Sequence, residues 1–176
     1  MIAQTPWFER KFEFNFPVGL FPVIFERLRG TVPRLDNLLI NIPENKLMTK
    51  HTAEGWSVKE QVGHMYDLEE LWYGRVEDFL SHDPVLRGAD ITNAKTKSSD
   101  HNSKKINHLL REFANARKKL LSKVENIDES TASIISIHPR LQKPIRLIDS
   151  LFFVAEHDDH HLAKIRELVQ GVSRQT

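Results

Sequence analysis

Four long segments of the chain repeat apolar residues at helical spacing, and this pattern limits the possible folds most. The segments span residues 18–42, 57–80, 104–126 and 146–170. In the last one, Leu151, Ala155, Leu162, Ile165 and Val169 recur at intervals of three, four and seven, which places them on one helix face. Each apolar stripe needs a partner to cover it, so the helices are expected to pack together. The pattern predicts an all-α protein folded as an antiparallel four-helix bundle.

Local signals mark some of the helix ends. Ser57 is followed three residues later by Glu60, which is a capping box, so the second helix is expected to begin there. Asn102 or Ser103 can cap the third helix, and Gly171 is expected to end the last one. The second helix is then predicted to run without a break to about residue 80.

The first segment contains an internal proline. Pro33 removes a backbone donor and clashes one turn back. Residues 30–33 are therefore predicted to form a kink, or a stop and restart with Thr31 or Val32 as the new cap. Residues 82–103 and 128–145 are predicted to be connections. The former is polar and rich in turn residues, and we expect it to form the rim of a pocket.

Aromatic residues dominate the start of the chain. Phe12, Phe14 and Phe16 alternate as in a strand, but no partner strand is evident nearby. We therefore interpret residues 1–16 as an extended arm laid over the body of the bundle, or against a second subunit. Burial of each aromatic ring would contribute about 1.5–3 kcal/mol to holding it there.

Composition narrows the possible functions. The 176 residues suggest one domain. With 25 basic and 24 acidic residues, the net charge of +1 gives no reason to expect nucleic acid or an anionic membrane as a partner. The basic residues of the third helix, Arg117 among them, are expected for the most part to form a solvated face. There is no cysteine, no signal peptide and no apolar run long enough to span a membrane, so we expect a soluble cytoplasmic protein.

Histidines on two of the predicted helices suggest a metal site. His157 and His161 are four residues apart, so they lie one turn above the other on one face. Bundles build metal sites from inward-facing side chains on different helices, and His64 can meet this pair from the second helix. Three neutral imidazoles leave a coordination position open for water or substrate, as catalytic sites do. They predict a divalent metal held by His64, His157 and His161.

Other residues compete for a place in this site. His160 is three residues from His157 and could replace His161 as a ligand, although His161 fits the buried stripe better. Asp67, Glu156 and Asp158 are candidates to orient a ligand, because metal-bound histidines usually donate their second N–H to a carboxylate or carbonyl. The remaining histidines are expected to be structural or solvated; they are His51, His82, His101, His108 and His138. His138 could also line a pocket.

Three stretches of the sequence resemble the DinB-like superfamily of metalloenzymes, also called DinB/YfiT-like. They are GWSVKEQVGH at 55–64, HPRL at 138–141 and AEHDDHHL at 155–162. The resemblance implies a four-helix bundle with a long crossover connection, often a homodimer. It also implies a divalent metal, zinc or nickel most often, held by His64, His157 and His161. Some members of the superfamily are thiol S-transferases and others are described as metal-dependent hydrolases.

Two functions agree with these observations. In the first, the metal activates water or a low-molecular-weight thiol, which attacks a small-molecule substrate by hydrolysis or S-transfer. Because the chain lacks cysteine, any such thiol would be a cosubstrate. In the second, the chain is a non-catalytic metal-binding or interaction module with a structural or sensing metal. A cavity beside an open coordination position would favour the enzyme, and a filled coordination shell would favour the module.

Overall fold

The fold is known from a computed structural model that describes residues 3–50, 52–53 and 55–173. His51 lies outside the described residues. The helices are α1 (Phe21–Arg29), α2 (Thr31–Leu39), α3 (Glu44–Leu47), α4 (Val58–Asp67), α5 (Glu69–Leu80), α6 (Ala94–Ser98), α7 (Ile106–Val124), α8 (Glu129–Ala132) and α9 (Leu147–Ser173). A hairpin of β1 (Ile135–His138) and β2 (Lys143–Arg146) precedes α9. Within the described part of the chain, no helix is both long and apolar enough to cross a membrane.

Four helical rods form the body, as the apolar stripes predict. The first rod is α1 with α2, the second is α4 with α5, and α7 and α9 are the other two. The first and second rods each pack against both α7 and α9, so they occupy opposite corners of the bundle. The chain therefore crosses the end of the bundle between the first rod and the second, and again between α7 and α9. The predicted all-α bundle with a long crossover connection is confirmed.

The second rod begins as predicted but is interrupted. The Ser57 hydroxyl accepts a hydrogen bond from the Glu60 amide at 3.2 Å, and Glu60 Oε2 accepts one from the Ser57 amide at 2.8 Å. The predicted unbroken helix is wrong at Leu68, which separates α4 from α5. Backbone hydrogen bonds from Leu68 to His64 and from Trp72 to Leu68 continue across this point, so the rod keeps its direction.

The break in the first rod lies at Gly30, the first residue of the stretch in which it is predicted. Gly30 ends α1 and serves as the N-cap of α2, so the prediction of Thr31 or Val32 as the cap is wrong. Pro33 falls in the first turn of α2, where its missing N–H would have had no helical partner. Thr31 is fully buried, and its hydroxyl donates to Asp158 on α9 at 2.7 Å.

Two further predicted helix ends are wrong. Helix α7 begins at Ile106, and the Ile106 amide is capped by Glu44 Oε1 of α3 at 3.0 Å, not by Asn102 or Ser103. This cap comes from a distant segment, so no local pattern reveals it. Helix α9 continues through Gly171, because a helical glycine costs only about 1 kcal/mol relative to alanine.

The predicted connection at 128–145 contains α8 and most of the hairpin. In the antiparallel register, Ile135 pairs with Arg146 and His138 with Lys143. In β1 the buried residues are Ser136 and His138 and Ile135 is exposed, and β2 contains a proline, so a hydrophobic pattern does not identify either strand. The hairpin brings His138 and its turn against the bundle.

The aromatic arm packs on its own chain. Trp7 begins a short 3-10 turn (Trp7–Glu9), and the residues after it have no regular structure. The Phe12 ring is buried against Phe153, at a centroid distance of 5.0 Å, and Phe16 lies 5.0 Å from Phe152. The arm thus covers the N-terminal half of α9.

Arg117 joins the four rods in the interior, so its predicted place on the solvated face is wrong. Its guanidinium donates to Glu69 of α5 at 2.6 Å, to Asp158 of α9 at 2.5 Å and to the Leu28 carbonyl of α1 at 3.1 Å. All three charged side chains are about 2% exposed. Burial alone would lower the pKa of Arg117, but Asp158 and Glu69 raise it above its usual value.

Replacing Arg117 with alanine should lower the free energy of unfolding by about 3–5 kcal/mol, because two carboxylates would be left buried without a counter-charge. The control is Lys119→Ala, an exposed position on the same helix, which should change stability by less than about 0.5 kcal/mol. Urea denaturation monitored by circular dichroism measures both. A loss in Arg117→Ala no larger than in the control would contradict the role of this cluster.

Candidate metal centre

Three buried histidines meet between the second rod and α9. His64 comes from α4, and His157 and His161 come from successive turns of α9. One nitrogen from each ring lies within 4.8 Å of the others. The ring centroids of His157 and His161 are 4.4 Å apart, and that of His64 is 4.9 Å from His161. The apolar core has two parts. Val62 and Met65, beside His64, belong to one part, and Ala155, two residues before His157, belongs to the other, so packing on both sides holds the rings in place.

Hydrogen bonds fix the orientation of two of the rings. His161 Nδ1 lies 2.6 Å from Gln61 Oε1, an acceptor, so this nitrogen carries the proton. His64 Nδ1 lies 3.2 Å from the Thr96 hydroxyl, which itself donates to Asp67 Oδ2 at 3.0 Å and therefore accepts from His64. In both rings Nε2 is then the nitrogen that carries the lone pair.

Burial keeps the three rings neutral. It lowers the pKa of His64 to about 4, with Asp67 opposing the shift and His101 adding to it. Burial also lowers the pKa of His157 and His161 well below the usual value, and the neighbouring histidines lower each further. Neutral imidazole is the form that binds metals.

The donor set suits a divalent cation. Nε2 of His161 lies 3.1 Å from Nε2 of His157, close enough for one cation to bind both nitrogens. His157 Nδ1 is buried and has no hydrogen-bond partner among the described residues. Within the same residues, no further histidine or acidic side chain joins the group, and the chain has no cysteine. Three imidazoles with one side open match the ligand set of a catalytic site.

The predicted orienting acids lie at different distances from the histidines. Asp67 reaches His64 through the Thr96 hydroxyl and also bonds to His101 Nε2 at 2.8 Å. Glu156 instead bonds to Arg27 at 2.6 Å and to Arg10. Asp158 bonds to Arg117 and Thr31 on the opposite side of α9. Of these three acids, only Asp67 is therefore connected to the histidine cluster.

Two groups that orient the histidines were absent from the predicted site. Gln61 lies one turn before His64, so helical spacing could have placed it on the same face. Thr96 lies on α6, within the long connection, and no sequence pattern identifies it.

The long connection packs closely on α4 at Gly63. His101 is buried beside Gly63, where a Cβ would lie only 2.2 Å from the imidazole. Gly63 therefore lets the connection approach α4 closely enough for Thr96 and His101 to reach Asp67.

His160, the competing ligand, is outside the group of three. Its ring is 5.4 Å from that of His161 and turned by 86°, and it lies 5.5 Å from Trp7 of the arm. Its Nδ1 is buried without a hydrogen-bond partner in the described structure. Of the remaining histidines, His82 and His108 are exposed, and His138 lines a pocket as anticipated.

The three histidines face a cavity of about 440 Å³. Trp56 and Trp72 lie against the cluster, with ring centroids 4.7 Å from His64 and 5.7 Å from His157 respectively. The connection at 82–103 contributes residues 88–91 and Asn93 to the rim, as expected, and the arm contributes Trp7 and Phe8. A cavity of this volume fits a small molecule.

Known proteins share this sequence pattern and this fold. The family model of the DinB superfamily matches residues 27–165. The chain is 21% identical to the uncharacterized protein YuaE of Bacillus subtilis over 150 residues, which are 78% of this chain and 92% of YuaE. Its structure is similar to that of YfiT from Bacillus subtilis, with a TM-score of 0.82, 94% of each chain covered and 19% identity. YfiT is described as a probable metal-dependent hydrolase with an unusual four-helix bundle topology. Since the family model spans most of its length, the chain belongs to the DinB superfamily.

Proposed function

We propose that the chain is a metal-dependent enzyme acting on a small molecule, with a divalent ion held by His64, His157 and His161. The observation that carries the proposal is the convergence of three neutral, buried imidazoles at the wall of a 440 Å³ cavity. The description of YfiT as a probable metal-dependent hydrolase supports hydrolysis as the reaction class.

Zinc or nickel is the proposed metal. Imidazole nitrogen suits both ions, and neither thiolate nor carboxylate contributes to the group among the described residues. Gln61 and Thr96 would hold the His161 and His64 rings in the tautomer that presents Nε2. Such outer hydrogen bonds typically change metal affinity about 10–100-fold.

The chemistry would be nucleophilic attack on an electrophilic substrate. A divalent ion with an open position supplies a Lewis acid that brings the pKa of water near 7. The aromatic walls, Trp56 and Trp72 among them, would exclude bulk water and so strengthen electrostatic interactions at the site. Water is the proposed nucleophile, and a low-molecular-weight thiol is the alternative, which would give S-transfer. A homodimer and a cytoplasmic location remain predictions from the sequence.

The non-catalytic module is the weaker alternative. A purely structural zinc site is closed by four protein ligands, whereas the described residues bring only three together here. The open side of the cluster faces the cavity, where a substrate could reach it. This arrangement supports the enzyme over the module.

Metal content tests the proposed ligands. Untagged protein should bind about one zinc or nickel per chain, and alanine at His64, His157 or His161 should abolish this, because two imidazoles make a much weaker site. His160→Ala is the matched control, since it removes a neighbouring buried histidine outside the group. Elemental analysis after dialysis measures the ratio. Loss of metal in His160→Ala with retention in His161→Ala would refute the ligand set.

Turnover tests the reaction. Metal-loaded protein, screened against small activated esters and amides with and without a low-molecular-weight thiol, should show activity that falls to background in His64→Ala and after chelation. The exposed His108→Ala variant should keep full activity. Activity that survives chelation would contradict a metal-dependent reaction. Stoichiometric metal without turnover on any substrate would favour the non-catalytic module.

A further inference from the structure

The cavity has a second polar region, away from the three histidines. Its residues are Arg75 on α5, His138 at the end of β1 and Arg140 in the hairpin turn. All three line the same cavity as the histidine cluster. None of them was part of the site predicted from the sequence, although His138 was considered a pocket residue.

Arg75 is a buried cation without a carboxylate of its own. It is 2% exposed, and its Nε donates to the Arg87 carbonyl at 3.1 Å. The Asp78 carboxylate attracts the charge of Arg75, but it accepts its hydrogen bond from the Arg87 guanidinium, at 2.6 Å. No ion pair to Arg75 occurs among the described residues. Burial lowers the pKa of Arg75 to about 10, so the group is still charged at neutral pH.

His138 lies beside Arg75 in the cavity. Its Nδ1 lies 3.2 Å from the backbone N–H groups of Arg140 and Leu141, which hold the ring in the hairpin turn. Its Nε2 lies 3.2 Å from Arg75 Nη1, so the ring contacts the guanidinium directly. Burial and the nearby arginines lower the pKa of His138 to about 4, so the ring is neutral and supplies no negative charge to Arg75.

Arg140 adds a second free cation at the mouth of the cavity. Its guanidinium lies over the rings of Phe8 and Phe153, at 5.5 and 5.8 Å from their centroids. In the part of the chain that the structure describes, this guanidinium makes neither an ion pair nor a side-chain hydrogen bond. Two guanidinium groups thus border the cavity, and no carboxylate of the described residues is paired to either.

We infer that Arg75, His138 and Arg140 form a subsite for the oxyanion of a small organic acid, either a carboxylate or a phosphate. Arginine binds both groups through paired charge-assisted hydrogen bonds. The inference rests on the proposed function, for which it specifies an anionic substrate. Trp72 contacts both ends of the cavity, since its ring is 5.4 Å from Arg75 Cζ and 5.7 Å from His157. An anion held by the arginines would place its apolar body along Trp72 and Phe153 and its far end toward the histidines.

Binding of benzoate to the protein tests this subsite. Isothermal titration calorimetry should detect binding to both the metal-loaded and the chelator-treated protein, because the arginines do not depend on the metal. All three tryptophans of the chain line the cavity, so their fluorescence gives a second readout. Benzamide, a neutral molecule of the same shape, should bind at least about tenfold more weakly, since it lacks the charge that the arginines attract. The same titration with phenyl phosphate shows whether the subsite binds a phosphate more tightly than a carboxylate.

Variants assign the binding to the named residues. Arg140→Gln, at an exposed position, and Arg75→Gln should each weaken benzoate binding by about tenfold or more. Arg166→Gln, an exposed change on α9 outside the cavity, is the control and should leave affinity unchanged. If Arg75→Gln does not fold, Arg140→Gln and benzamide still test the subsite.

Two results would overturn the inference. Equal affinity for benzoate and benzamide, or wild-type affinity in Arg140→Gln, would show that the arginines do not select an anion. Benzoate binding that disappears on chelation would place the anion at the metal. If the protein binds benzoate as expected but never binds metal, the proposed function fails and the anion subsite stands.

Discussion

The buried ionic cluster centred on Arg117 is the constraint on which the rest of the structure depends. One guanidinium on α7 is bound to Glu69 on the second rod, to Asp158 on α9 and to the Leu28 carbonyl on the first rod. Apolar packing alone tolerates rotation of a helix by a fraction of a turn, but a buried charge keeps its partners only in one arrangement. The cluster therefore restricts how each rod is rotated within the bundle.

The candidate metal centre follows from that restriction. Asp158 is adjacent to His157, so anchoring Asp158 to Arg117 turns His157 and His161 toward the second rod and the cavity. Glu69 lies five residues after His64 on the same rod and is held by the same guanidinium. Asp158, which the sequence suggested as an orienting acid of the metal centre, thus acts from the opposite face of α9. Its contribution is to set the orientation of the helix that carries two of the ligands.

Much of the fold, and the meeting of the three histidines, could be predicted from the sequence because those features depend on local spacing. A four-residue interval places His157 above His161, and a capping box starts α4 at Ser57. The contacts that were missed join distant segments. Glu44 caps α7, Thr96 orients His64 from the long connection, and Arg117 is buried by carboxylates on two other helices. Sequence alone does not show which segments meet, so Arg117 looked like one more basic residue of a solvated face.

Anomalous X-ray scattering from crystals of the zinc-loaded or nickel-loaded protein tests the three-histidine metal centre. We predict one strong peak per chain at the absorption edge of the metal, about 2.0–2.1 Å from a nitrogen of each of His64, His157 and His161. The side of the ion opposite these ligands should face the cavity that Trp56 and Trp72 border. A peak that excludes His64, that is bound by His160, or that is closed by a fourth side chain would contradict this prediction.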